Sequence, residues 1–311
     1  MDAEKQQTKE KKNFYITKTC LIITILILTS CFLITELIIG LLTKSNAILA
    51  DSFHIFGDLI TLLISLMTIR LSKREMSNTN TFGWIRAEIL GSLINSVFLL
   101  ALCFTILIDS INRFRDPEPL EKIDLIILIG VGRLFLNIIS MSLFLIRSYR
   151  QKSSEKEMSM NLKVILLNAL GDSLGSIAVI LSGFLIKYIP DGSEIQWKLY
   201  IDPVLSLLIA IIIMINMVPI LKKSSLILLQ SVPLDFNVNE LKVQILNVQG
   251  VSSVSHFYIW ALNSEINVAS VQIVIQDDST DHLEIVQSVK NLLKENLIQI
   301  STIEIEFKSQ K

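Results

Sequence analysis

Between residues 19 and 221 the chain carries six apolar runs, each long enough to cross a lipid bilayer. A membrane-spanning helix needs about 20 mostly apolar residues. In hydrocarbon every backbone polar group must be satisfied internally, so runs of this length fold as helices and not as open strands. The runs cover roughly residues 19–42, 47–70, 85–112, 123–147, 162–187 and 201–221. The last third of the chain reads as soluble sequence.

Charge orients the spans. Basic residues cluster at Lys5–Lys18 before the first span, at Arg70, Lys73 and Arg74 after the second, and at Arg147–Lys163 between the fourth and fifth. Lys222 and Lys223 follow the sixth. The other gaps are acidic or nearly neutral: DPEPLEKID follows Arg113 and Arg115, and PDGSEIQWK follows the fifth span. Cytoplasmic loops carry the excess of Lys and Arg, which puts both termini in the cytosol and requires an even number of spans. Six satisfies that. The first apolar run is too long for a cleaved signal peptide and lacks a small-residue cleavage pattern. The net charge of −1 gives no electrostatic reason for a nucleic-acid partner.

Three parts follow. Residues 1–17 are a Lys-rich cytosolic arm of disordered composition. Residues 18–223 form a six-helix membrane domain. Residues 224–311 form a small cytosolic domain. In that last part VNELKVQILNVQG has helical periodicity and stops at Gly250. VSSVSHFYIWAL and INVASVQIVIQ alternate as strands joined near Asn263 and Ser264. DSTDHLEIVQSVKNLLKEN is helical, with Asp278 or Ser279 as its cap, and ISTIEIEF is a last strand. The order αββαβ predicts an α+β domain with both helices on one face of one sheet. Asp202-Pro203 predicts the start of the sixth span.

The most costly residues lie in AILADSFHIFGDLITLLISLMTI. His54 and Asp58 sit there four residues apart, so they share one helix face. A charge at the bilayer centre costs at least about 2.5–3.5 kcal/mol on insertion scales. The fifth span carries NLKVILLNALGDSLGSIAVIL, in which Asn168 and Asp172 have the same spacing. Two helices, each with a two-ligand pair, can converge on one divalent cation, which offsets the burial of the carboxylates. The bland alternatives are an Asp paired with an Arg and an Asn bridging helices. Asp51 is read as a helix-start residue or one standing behind the ligands.

Cys20, Cys31 and Cys103 lie inside predicted spans and form no CxxC pair, so a disulfide framework or zinc knuckle is not indicated. No Walker motif, glycine-rich phosphate loop or nucleophile elbow is present, so nothing points to an enzyme. A channel would need weak binding at many sites along a pore. Two ligand pairs at one depth point to a carrier. A non-transporting metal-responsive scaffold is the remaining alternative.

The stretches LADSFHIFGD, TFGWIRAEILGSLINSVFLLALCFTI, LNALGDSLGS, YIDP, LLQSVP and FYIW give the chain its resemblance to the cation diffusion facilitators, in the zinc-transporter (solute carrier 30) branch. The resemblance implies an α-helical membrane protein with six transmembrane helices, followed by a small cytosolic α+β ferredoxin-like domain. It implies a homodimer that exchanges a divalent cation for protons and moves zinc out of the cytosol. Its metal site maps onto His54, Asp58, Asn168 and Asp172. The expected cargo is Zn²⁺, with Mn²⁺ as the alternative, and no separate cofactor is implied.

This sequence departs from the branch in four places. Asn168 stands where zinc members usually carry histidine, which makes the site richer in oxygen donors and suits manganese as well as zinc. An amide also does not titrate, so the site holds one exchangeable proton fewer near neutral pH. The gap SYRQKSSEKEMSMN contains no histidine, and SHFYIW has Ser255 and Tyr258 at positions where relatives often bind extra metal. His256 and His282 are therefore read as surface or structural residues, Trp260 as a core or interface anchor, and the cytosolic domain as a dimerisation module. Arg133 in GVGRLFLN stands where a small or apolar residue is usual; it should snorkel to a helix end or pair with an acid such as Glu36. Glu36, Asn95 and Asn137 are expected to pack helices or line a polar passage.

Overall fold

A computed structural model describes residues 2–43, 46–116, 123–151, 160–188, 200–233, 236–275 and 282–307. The chain separates into two compact units, Met1–Leu221 and Lys222–Lys311.

The first unit is a helical bundle: α1 (Asp2–Thr43), α2 (Asn46–Ser72), α3 (Ala87–Arg115), α4 (Ile123–Gln151), α5 (Met160–Tyr188) and α6 (Ile201–Leu228). Each contains a stretch long and apolar enough to cross a membrane. The N-terminal arm, expected to be disordered, is helical in its backbone as part of α1. Ala, Glu, Lys and Gln are good helix formers, no Gly or Pro interrupts them, and a nucleated helix extends at little cost. α6 likewise runs past Lys222 and Lys223 to Leu228, because KKSSLIL contains no breaker.

The outside of the bundle is apolar. Ile27, Ile34 and Ile38 on α1 and Leu208, Ile212 and Ile215 on α6 are all more than half or nearly half exposed. So large an apolar surface belongs in lipid. The polar residues lie inside. Glu36, Asp58, Ser65, Asn95, Asn161 and Ser224 are among the buried set. Ile22 and Ile25 of α1 pack with Leu62 and Ile69 of α2, Phe144 of α4 and Ile165 of α5. Leu99 and Cys103 of α3 pack with Val164 of α5 and with Ile213 and Met217 of α6.

A hydrogen-bonded cluster joins three of these helices. Asn95 Nδ2 on α3 donates to Ser65 Oγ on α2 (2.7 Å), and Ser65 Oγ donates to Asn161 Oδ1 on α5 (3.0 Å). Asn161 Nδ2 also donates to Thr68 Oγ1 (3.3 Å). Such bonds bridge helices where hydrophobic contrast is absent. Gly91 lets α3 approach α2 here: a Cβ at that position would lie 2.5 Å from the Thr68 side chain.

The second unit has α7 (Val238–Leu246), β1 (Val251–Ala261), β2 (Asn267–Ile275), α8 (His282–Glu295) and β3 (Ile300–Phe307), the expected order. Asn237 caps α7 through its side chain, which accepts from Glu240 N. β2 is central, antiparallel to β1 and parallel to β3. Asn263 Oδ1 closes the β1–β2 turn by accepting from the backbone N–H groups of Glu265 and Ile266. Leu241 and Ile245 of α7 and Ile285, Val289 and Leu293 of α8 enter one core with Ala269, Val271, Ile273 and Ile275. Alternation along β2 places those four side chains on one face, and both helices cover it. Gly250 has φ +96°, and a Cβ there would lie 2.5 Å from Ile285 Cδ1, so glycine serves both the turn and the close packing. The expected α8 caps, Asp278 and Ser279, and most of the gap between the fourth and fifth spans lie outside the described residues.

Candidate metal centre

α2 and α5 carry the two polar pairs, and helical periodicity turns each pair to one face of its helix. Packing makes the two faces meet. Asn168 Nδ2 donates to Asp58 Oδ1 across the α2–α5 contact (3.0 Å) and to Asp172 Oδ2 within α5 (3.3 Å). His54 Nδ1 lies 3.5 Å from Asp58 Oδ2. Each of His54, Asp58 and Asp172 offers one ligand atom, and these atoms all lie within 4.8 Å of one another. Among the described residues no other group of three or more His, Cys, Asp or Glu is drawn so close.

Asp58 is 6% exposed, so water does little to stabilise its charge. Asn168 adds an oxygen: its buried Oδ1 has no hydrogen-bond partner. Two carboxylates, an imidazole and an amide carbonyl are a mixed N/O donor set that suits a borderline divalent cation. The arrangement can take a cation from water and hold it inside the bundle without any covalent chemistry.

Arg133 pairs with acids, one of the two outcomes expected for it, but the acids are Asp51, Asp58 and Asp172. It neither snorkels to a helix end nor hydrogen-bonds Glu36. Its Nη1 donates to Asp51 Oδ1. Its Nη2 lies 3.2 Å from His54 Nδ1, 3.6 Å from Asp172 Oδ1 and 3.7 Å from Asp58 Oδ2. A guanidinium fans out five donors in a plane, so one side chain can address several acids at once. Asp51 is therefore an anchor for Arg133. α2 starts at Asn46, more than a turn before Asp51, so it does not start the helix. The signal was present in the sequence: a charge in the middle of a 29-residue apolar helix must find acids on neighbouring helices.

The centre separates two cavities. One, of about 280 Å³, is lined by Glu36, Asp51, His54, Arg133, Asn168 and Asp172. It extends past Asp109 and Arg113 near the end of α3, Ile126 near the start of α4 and Ser182 near the end of α5. The other, of about 50 Å³, is lined by Asp58, Arg133, Asn168 and Asp172 and extends toward Ile25 of α1, Phe144 of α4 and Ile165 of α5. The larger cavity thus runs toward the end of the bundle where α3 gives way to α4, and the smaller one toward the opposite end. Asn137 lines the smaller cavity with an unpaired Nδ2, while Asn95 belongs to the three-helix cluster. Sequence reading overlooked Ser65 and Asn161, partners of that cluster.

In the second unit His256 is exposed and stacks on Tyr258, with ring centroids 6.0 Å apart. His282 meets the Phe307 ring edge-on at 5.3 Å. Neither belongs to a metal-ligating cluster among the described residues. Cys20, Cys31 and Cys103 are free.

The family model described as the cation efflux transmembrane domain matches residues 22–229. The chain is 28% identical to the vacuolar zinc transporter ZRC1 of Saccharomyces cerevisiae, over 93% of this chain and 83% of that protein. It is also 28% identical to the human calcium/manganese antiporter SLC30A10, over 85% of this chain and 73% of that one. Identity with the human proton-coupled zinc antiporter SLC30A1 is 24%, over 93% of this chain and 82% of that one. The alignment to ZRC1 spans 371 positions, more than the 311 residues here, so that relative carries segments this chain lacks. A family match through all six spans, in a lipid-facing bundle whose His54, Asp58 and Asp172 are close enough together to hold a metal ion, makes this chain a multi-pass metal-cation transporter of the cation efflux (cation diffusion facilitator) family, in its zinc-transporter branch.

Proposed function

We propose that this protein is a Zn²⁺/H⁺ antiporter that moves zinc out of the cytosol, with His54, Asp58, Asn168 and Asp172 as the transport site. The observation that carries this reading is the meeting of two i,i+4 pairs from α2 and α5, with Asn168 3.0 Å from Asp58 and with ligand atoms of His54, Asp58 and Asp172 within 4.8 Å of one another. The proton as counter-ion is supported by the similarity to SLC30A1, a proton-coupled zinc antiporter. The direction is supported by the match to the cation efflux family, taken with a charge bias that assigns both termini to the cytosol. In that orientation the 280 Å³ cavity faces away from the cytosol and the Ser65–Asn95–Asn161 cluster closes the cytosolic side. Helices of the bundle then rock around a fixed site so that access alternates between the two ends. A homodimer formed through the cytosolic unit completes the reading.

Manganese is the second candidate cargo, favoured by Asn168. A carbonyl replaces an imidazole, which shifts the donor set toward oxygen. The similar SLC30A10 is a calcium/manganese antiporter.

The test is uptake of Zn²⁺ and Mn²⁺, in parallel, into liposomes holding the purified protein and acidified inside. Zinc uptake lost in Asp58→Ala and in Asp172→Ala supports the zinc reading. Manganese uptake without zinc replaces it with the second. Proton efflux that does not accompany metal uptake removes the antiport.

A further inference from the structure

A guanidinium stands among the acids that a transported cation would use. Arg133 Nη2 is 3.2 Å from His54 Nδ1, 3.6 Å from Asp172 Oδ1 and 3.7 Å from Asp58 Oδ2. Zinc sits about 2.0–2.2 Å from its nitrogen and oxygen ligands. An ion bound to these three atoms would therefore lie against the guanidinium. Both are cations, and the site is poorly screened because Asp58 and Arg133 are buried from water. The two do not share the cradle.

Arg133 has a second set of acceptors beside the first. Its Nη1 already donates to Asp51. Glu36, on α1, is 1% exposed, and its carboxyl lies against that of Asp51 with no other hydrogen-bond partner. Asp51, Arg133 and His54 are its electrostatic neighbours, and all four line the same cavity. Two carboxyls buried against one another are costly unless a proton or a cation lies between them, so their retention needs a reason. A guanidinium drawn toward Asp51 and Glu36 would satisfy both.

We propose that Arg133 is a tethered cation that competes with the transported ion for one cradle, and that an arriving divalent cation displaces it onto Asp51 and Glu36. This rests on the ligand assignment made above. Binding is then an exchange of one cation for another, and the acids of the site hold a positive partner throughout. The exchange also discriminates by charge. A monovalent ion gains no more from the acids than Arg133 does, while a divalent ion gains about twice the attraction at equal distance. Glu36 and Asp51 act through Arg133 and touch no cargo.

The test uses the full chain in detergent, with Zn²⁺ affinity read by competition with a chelating dye at fixed pH. Arg133→Gln removes the competitor, and its affinity rises about 10-fold or more. Glu36→Gln weakens the place to which Arg133 retreats, and affinity falls by about 10-fold. The double variant Glu36→Gln/Arg133→Gln behaves as Arg133→Gln alone, because Glu36 matters only while Arg133 is there. An unchanged or lower affinity in Arg133→Gln overturns the proposal, as do additive effects in the double variant. Zinc binding by Arg133→Gln with none by the unaltered protein also overturns it, since Arg133 would then be a permanent plug. If Arg133→Gln does not fold, Glu36→Gln decides alone, and unchanged affinity there overturns the exchange. Asp58→Asn separates the two readings. Full zinc binding in Asp58→Asn removes the ligand assignment, whereas lost binding there with no change in Arg133→Gln removes only the exchange.

Discussion

Asn168 Nδ2 and Asp58 Oδ1 stand 3.0 Å apart, although 110 residues separate them in the chain. This bond joins α2 to α5 at the level where both helices are polar. In this arrangement the Asn168 amide turns its Nδ2 to both acids, while its buried Oδ1 has no hydrogen-bond partner. An amide carries a carbonyl acceptor and a hydrogen-bond donor, and it cannot exchange a proton.

Asn168→His puts a titrating group at the centre. An unperturbed imidazole gains its proton below about pH 6.5, and a protonated imidazole does not bind metal. The expected outcome is metal uptake that falls more steeply as pH drops from 8 to 5.5 than in the unaltered protein. The ratio of zinc to manganese uptake should rise as well, since nitrogen replaces oxygen. Liposome uptake at a series of pH values reads both, and an unchanged profile would show that residue 168 is no ligand.

The Ser65–Asn95–Asn161 cluster should hold α2, α3 and α5 together. Hydrogen bonds between membrane helices contribute about 0.6 kcal/mol on average and up to about 1.7 kcal/mol. Asn161 makes contacts to Ser65 and Thr68 and is wholly buried. Asn161→Ala is expected to lower the thermal unfolding midpoint in detergent by a few degrees. It should also increase labelling of a cysteine introduced at Leu62, which lines the smaller cavity and takes no part in the cluster, when the reagent is added from the end of the bundle carrying Lys73. Equal labelling with and without the substitution would mean that the cluster is not a closure.

Gly91 is expected to tolerate no side chain. A Cβ would sit 2.5 Å from Thr68 Oγ1 and Cγ2, so one of the two helices must shift. Overpacking of this kind costs about 1–3 kcal/mol. Gly91→Ala should therefore lower stability in detergent, and adding Thr68→Gly should restore part of the loss by removing Oγ1, Cγ2 and the Cβ at 2.8 Å, the atoms that collide. No recovery in the double variant would place the cost elsewhere.

In the second unit, Gly250→Ala meets two penalties at once. Its φ of +96° disfavours any residue with a Cβ, and that Cβ would lie 2.5 Å from Ile285 Cδ1. A loss of at least about 1 kcal/mol is expected. Protease cleavage within residues 236–307 of the full chain should accelerate by a similar factor, while the six spans remain intact. A cleavage rate equal to that of the unaltered protein would contradict the packing described here.

Much of this molecule could be read along the chain because its interactions there are local. Hydrocarbon forces apolar runs into helices, so six runs become six spans with ends displaced by only a few residues. Helical period alone puts His54 beside Asp58 and Asn168 beside Asp172. Strand alternation and turn residues likewise yield αββαβ. What tertiary structure decided is how the helices rotate against one another. Arg133 could have reached a helix end or any of several acids; packing of α4 against α5 and α1 delivers it to Asp51 and the candidate site acids Asp58 and Asp172. Asn161 is an unremarkable polar residue near a span end until α2 and α3 bring Ser65, Thr68 and Asn95 to it. The physical reason is one of range. Backbone geometry sets neighbours within about a turn, but which faces meet between helices depends on the sum of all side-chain contacts, and no local period encodes that sum.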